Sequence, residues 1–74
     1  MAYNVWYSVN DSLDMYDTGT GWEYSVRKHS VSGKYYVMER QKSGNMEIRR
    51  SEECRTRESA KALAMGWAMA RTAR

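Results

Sequence analysis

Proline and phenylalanine are absent from this 74-residue chain, and cysteine and histidine occur once each. A single cysteine, Cys54, excludes an internal disulfide. Cys54 and His29 together fall short of the four ligands of a zinc site within one chain. No cofactor or metal is therefore expected. A lone thiol fits a reducing compartment, and the expected location is the cytoplasm. With phenylalanine missing, the aromatic mass is six Tyr and three Trp, joined by six Met. Rings with a polar handle suit half-buried surfaces and interfaces. Long apolar runs are lacking too. The least polar stretch, Ala62 to Ala70, is far too short to cross a bilayer, so no membrane contact is expected. The first six residues, Met1 to Trp6, show neither a basic nor an apolar signal-peptide region, and no signal peptide is expected.

The length predicts a single domain over residues 1–74. A chain of this size buries roughly 60–65% of the surface its unfolded form exposes, so its core is thin.

Hydrophobic periodicity outlines the elements. In residues 3–9, Tyr3, Val5, Tyr7 and Val9 alternate with Asn4, Trp6 and Ser8, the period of a half-buried strand with Trp6 turned outward. Residues 10–21, with Asn10, three Asp, Gly19 and Gly21, read as a loop, with room for one helical turn at 12–16 capped by Ser12. Residues 22–29 alternate Trp22, Tyr24 and Val26 against Glu23, Ser25, Arg27 and His29. Ser30 to Gly33 supplies a turn. Residues 34–41 form the next strand, whose two faces, Tyr35 and Val37 against Tyr36, Met38 and Arg40, are both large, leaving the inward side open. Ser43-Gly44-Asn45 is a second hairpin turn before a strand over 46–51.

The period then changes. Thr56 can cap a helix, with Glu58 in its first turn, and Ala60, Leu63, Ala64 and Trp67 recur at helical spacing. Ala62, Met65 and Met69 widen the stripe. Gly66 weakens the helix by about 1 kcal/mol relative to Ala; it either allows close approach to the sheet or is simply tolerated. The fold expected is α+β: an antiparallel three- to four-stranded meander with one C-terminal helix on one face, in the order β-loop-β-β-β-α.

Charge is uneven. The formal net charge is +3. Residues 1–26 hold Asp11, Asp14, Asp17 and Glu23 and no Lys or Arg, so the first loop is acidic. Residues 27–50 hold Arg27, Lys28, Lys34, Arg40, Lys42, Arg49 and Arg50 against two Glu. Cations interleaved with aromatics are one footprint of DNA or RNA binding, because Lys and Arg neutralise phosphates and exposed rings stack on bases. A solvated sheet face has the same composition.

Motifs for chemistry are scarce. Asp11, Asp14 and Asp17 lie three apart, whereas calcium loops need acids two apart around a central Gly. Gly19-Thr20-Gly21 lacks the further glycine and following helix of a phosphate cradle. Cys54 has basic neighbours that favour a thiolate, but only His29 could serve as its base. A domain this small rarely encloses the ~300–1,000 Å³ pocket of a small-molecule site. The chain is therefore expected not to be an enzyme.

The segment Gly21-Trp22-Glu23-Tyr24-Ser25-Val26-Arg27, the Gly33-Lys34 turn, two further strands and the helix opening Thr56-Arg57-Glu58-Ser59-Ala60 resemble the arm-type DNA-binding domain of phage and transposon integrases. The resemblance covers about two-thirds of the chain. It implies a three-stranded sheet laid in the major groove, with Arg27, Lys34, Arg40 and Arg49 as contacts. An added N-terminal strand and an acidic loop depart from that pattern. In size and in its Tyr, Trp and Met content the chain also resembles small accessory proteins of phages and mobile elements, among them anti-CRISPR inhibitors of host complexes.

Two functions are thus expected, the first slightly favoured. One is a protein-interaction module acting on a host protein or nucleoprotein complex, anchored by Trp6, Trp22, Tyr24, Tyr36 and Met38. The other is a nucleic-acid-binding module using the basic meander, which requires its cations to share one face. If the second sheet face packs on another copy, the protein is a homodimer.

Overall fold

The computed structural model describes residues 6–72. It is an α+β fold: one five-stranded antiparallel sheet in the order β1-β2-β3-β4-β5, with a single C-terminal helix on one side. The strands are β1 (Tyr7–Asn10), β2 (Leu13–Asp17), β3 (Trp22–Lys28), β4 (Tyr35–Gln41) and β5 (Met46–Arg50), and α1 is Arg57–Thr72. Of the first predicted strand, residues 3–5 lie outside the described residues. The described part, β1, is exposed along its length.

The predicted acidic loop is in fact largely a strand. β2 runs through Leu13-Asp14-Met15-Tyr16-Asp17 and pairs in register with β3, from Leu13 opposite Arg27 to Asp17 opposite Glu23. There is no helical turn at Ser12. Aspartates are poor strand formers and disguised the alternation. They are tolerated because each side chain finds a partner: Asp14 is buried, and Asp17 accepts a hydrogen bond from Lys42. Asp11 alone stays in the β1–β2 turn. The remaining turns match expectation. Gly33 (φ 74°) closes β3–β4 with its N–H on the His29 carbonyl at 2.9 Å. Asn45, at φ 49°, closes β4–β5, in the left-handed region that Asn tolerates best after Gly.

Strand pairing decides which side chains share a face. Tyr16 opposes Tyr24, Tyr24 opposes Glu39, and Val26 opposes Val37. All of these lie beneath α1. The inward face of β4 is therefore Tyr35, Val37 and Glu39. Trp6, expected outward, also lies on this side and stacks on Tyr16 at 5.3 Å. Tyr24 and Val37 are 0% exposed.

Thr56 caps α1 as expected: its Oγ1 accepts the Ser59 N–H at 3.0 Å. The buried stripe differs from the predicted one. Ala60, Ala64 and Ala68, spaced four apart, form the seam, while Ala62 is exposed and Leu63 and Met69 are 37% and 64% exposed. A bulky sheet surface of Trp, Tyr and Val leaves room for little more than methyl groups on the helix. Gly66 serves no close approach, since a Cβ there would meet nothing within 4 Å.

Two carboxylates on the sheet hold the helix. Asp14 accepts Ser8 Oγ at 2.6 Å and pairs with Lys61 at 3.3 Å and Arg57 at 3.6 Å. Glu39, 0% exposed, accepts Tyr24 Oη at 2.6 Å, Arg71 Nε and Nη2 at 3.1 and 3.2 Å, and lies 3.4 Å from Arg49 Nε. Each cation also covers a ring: Lys61 over Trp6, Arg57 over Tyr35, Arg71 over Trp22 and Arg49 over Trp67, at 5.6, 5.4, 4.1 and 3.7 Å. Such contacts add about 0.5–2 kcal/mol each.

Burial pushes both carboxyls up, but the hydrogen bonds and cations outweigh it, and both sit below their ordinary values. Tyr24 is raised by burial and by its bond to Glu39, so the phenol stays a donor. Because the folded-state carboxyl values are depressed, the stability they confer is complete above the ordinary carboxylate range near pH 4. It is lost as pH falls through the depressed values. Urea unfolding at pH 7, 4 and 2.5 should show a plateau and then a loss, and Glu39→Gln should flatten that slope. At pH 7 the same variant should cost roughly 3–5 kcal/mol, the usual consequence of breaking a buried pair from one side.

Candidate interaction surface

The face of the sheet opposite α1 is covered by no element among the described residues. Register assigns its side chains. One row across the strands is Tyr7, Met15, Ser25, Met38 and Arg50. A second is Leu13, Arg27 and Tyr36, and a third is Asp17, Glu23, Arg40 and Glu47. The first two rows join Tyr7, Leu13, Met15, Tyr36 and Met38 into an apolar tract. Tyr7 is 50% exposed and the others are half-buried. Ser25, at its centre on the middle strand, is buried among its larger neighbours.

The third row is neutralised internally. Arg40 donates to Glu23, and Lys42, in the β4–β5 turn, donates to Asp17. That bond is the main cause lowering the Asp17 carboxyl, and it raises the Lys42 amine. Arg50 pairs with Glu47 at 3.3 Å and lies over the Tyr36 ring at 5.3 Å. Among the described residues Arg27 forms no ion pair; its Nε donates to Ser25 Oγ at 3.4 Å.

The seven basic candidates therefore do not share a face. Arg27, Arg40 and Arg50 lie on the open side. Arg49 lies on the helix side with Glu39, and Lys28 is on that side of β3. Lys34 and Lys42 are in turns. A bulge decides which of Arg49 and Arg50 takes which side: the β4–β5 register shifts between Glu39 and Arg40, so that Glu39 opposes Arg49 but Arg40 opposes Glu47. The extra residue, Ile48, puts Arg49 and Arg50 on opposite sides of the sheet from those a regular ladder past Arg40 would give.

The aromatic anchors also divide. Tyr24 is core and unavailable to a partner. Trp6 and Trp22 pack half-buried against the core. Tyr36 and Met38 remain on the open face. Sequence reasoning missed Leu13, Met15 and Tyr7 as their companions because β2 was read as loop.

At the edge of this face, His29, Tyr36, Arg50, Ser51, Glu52 and Glu53 line a depression of about 240 Å³. His29 meets Tyr36 edge-on at 6.4 Å, and its Nδ1 accepts the Val31 and Ser32 N–H groups at 3.2 and 3.4 Å. Glu53 accepts Ser32 Oγ at 2.9 Å. Among the described residues no three His, Cys, Asp or Glu side chains converge to hold a metal. Cys54 is half-buried against the core, in a β-bridge with Tyr35. No helix of the described chain is long and apolar enough to cross a membrane. No family model, curated protein or solved structure matches the chain.

If the open-face residues serve binding rather than the core, shortening them should be cheap. Met15→Ala and Met38→Ala should each cost about 1 kcal/mol or less in urea unfolding. Tyr24→Ala should cost about 3–5 kcal/mol, as for a buried ring.

Proposed function

We propose that this chain is a non-enzymatic binding protein that engages a protein partner through the open face of its sheet. On this reading it acts as a modulator or inhibitor of a host complex, of the kind made by phages and mobile elements. The observation that carries the proposal is the apolar tract of Tyr7, Leu13, Met15, Tyr36 and Met38. Within it lies Arg27, which forms no ion pair among the described residues, and it is bordered by ion pairs that satisfy one another. This is the anatomy of an interface core with a polar rim. The small size, the Met and Tyr content and the single thiol support a cytoplasmic accessory protein.

Nucleic acid is the competing reading. The β3-β4-β5-α1 order is the arrangement expected from the integrase resemblance. However, phosphates would have to displace the carboxylates that already hold Arg40, Lys42, Arg49 and Arg50, and the cations are spread over two faces.

The test uses the full chain as bait on host lysate, with Met38→Glu and Arg27→Glu beside the wild type and Lys34→Glu as a control off the face. A specific protein should be captured by the wild type and the control and lost with both face variants. Equal capture by all four would exclude this face. In parallel, anisotropy with labelled duplex DNA and RNA at two salt concentrations should show no tight binding. Salt-sensitive binding that disappears with Arg27→Glu would replace the proposal with the nucleic-acid reading.

A further inference from the structure

Arg27 sits in the open face without a counter-charge among the described residues. It is half-buried on β3, and strand pairing sets Leu13 on one side of it and Tyr36 on the other. Met15 and Met38, in the next row, complete an apolar surround. Its Nε donates to Ser25 Oγ at 3.4 Å, and neither terminal nitrogen donates to a described residue. Glu23, four residues along β3, is about 13 Å away by the rise of a strand and already holds Arg40. Arg50, on the same face, pairs with Glu47.

We infer that the protein partner presents an aspartate or glutamate carboxylate set among apolar side chains, and that this carboxylate seats on Arg27. The inference rests on the open face being the binding surface, as proposed above. A partner that covers Leu13, Met15, Tyr36 and Met38 also covers the guanidinium between them. Arginine keeps its charge throughout the pH range of a folded protein, so it cannot shed a proton when water is removed. Under a wholly apolar surface the charge would lose its hydration and gain no partner. A backbone carbonyl would accept one hydrogen bond and leave the charge in place. A carboxylate matches the parallel N–H groups of the two terminal nitrogens and cancels the charge as well.

A phosphate backbone suits this place less well. Duplex DNA carries one negative charge per about 1.7 Å of its axis and so needs a run of free cations. The neighbours of Arg27 are apolar instead, and Asp17, Glu23 and Glu47 farther along the same face oppose a polyanion. A lone acid in an apolar patch meets Arg27 and then only Leu, Met and Tyr side chains. An arginine ringed by contacts that exclude water is also a common energetic centre of protein interfaces. Affinity then comes from the apolar tract, and specificity from Arg27, which rejects apolar surfaces that lack the acid.

The experiment selects phage-displayed random peptides, linear and cyclic, on the immobilised full chain, and measures the selected peptides against variants. Peptides whose binding is lost with Met38→Glu should share one Asp or Glu flanked by apolar residues. Arg27→Met, which keeps the stem and removes the charge, should weaken them at least about tenfold, the low end for a close charge pair across an interface. Replacing the peptide's acid by its amide should weaken binding to the wild type by a similar factor and add little on Arg27→Met. Arg27→Lys, which keeps the charge and loses the fork, should bind at an intermediate level. Selection on Arg27→Glu should bring Lys or Arg into the place of the acid. Circular dichroism and urea midpoints of the Arg27 variants should stay near wild type. Peptides that need Met38 but carry no acid, or that bind Arg27→Met as well as the wild type, would overturn the inference and leave the open face as the binding surface. Peptides indifferent to Met38→Glu, or no enriched peptide at all, would overturn both. Labelled duplex DNA that displaces the acidic peptides, with steep salt dependence, would assign Arg27 to phosphate and overturn the inference too.

Discussion

Glu39 is the group on which the architecture turns. It lies fully buried on β4 and meets Tyr24 from β3, Arg49 from β5 and Arg71 from α1. One carboxylate therefore ties three strands and the helix together. A buried charge is tolerable only when its lone pairs are filled, and here a phenol and two guanidinium groups fill them. Asp14 repeats the device at the other end of the helix with Ser8, Arg57 and Lys61. Between the two clusters the seam needs only three alanines. Cations flattened on rings and pointed at carboxylates replace the leucines that a larger core would use.

That construction has a consequence for the surface. Because the helix turns Arg57, Lys61 and Arg71 to the sheet, its outer side carries mostly small and apolar residues, with Glu58 in the first turn. Because three of the cations near the open face pair with Asp17, Glu23 and Glu47, that face is close to neutral and apolar at its centre. Both broad surfaces of the molecule are thus less charged than a composition with 12 Lys and Arg implies. The same internal pairing weakens the case for a phosphate-binding sheet and favours protein contact.

Local signals survived folding well where they depended on backbone chemistry. The capping hydroxyl of Thr56, the Gly33 and Asn45 turns and the alternation of Trp22-Glu23-Tyr24-Ser25-Val26 can each be read in a few consecutive residues. β2 could not be read that way. Its aspartates argue for a loop until Lys42, Lys61 and Arg57, which are 25 to 47 residues distant in sequence, are placed beside them. The site residues followed the same rule. Tyr36 and Met38 were visible as candidates, but Tyr24 looked equally suitable until its hydroxyl was found sealed against Glu39.

Composition and periodicity by themselves determined the α+β class, the meander, the C-terminal helix and the absence of an internal disulfide. Those properties follow from residue type and from spacing along the chain. Which face of β4 is inward, that the Ile48 bulge turns Arg49 rather than Arg50 to the helix side, and that Ala rather than Leu forms the helix seam were decided only in three dimensions. They depend on register, on a one-residue insertion in a ladder, and on ion pairs between groups far apart in sequence. A shift of one residue in register moves every side chain to the other face of a sheet, and no short stretch of sequence records it.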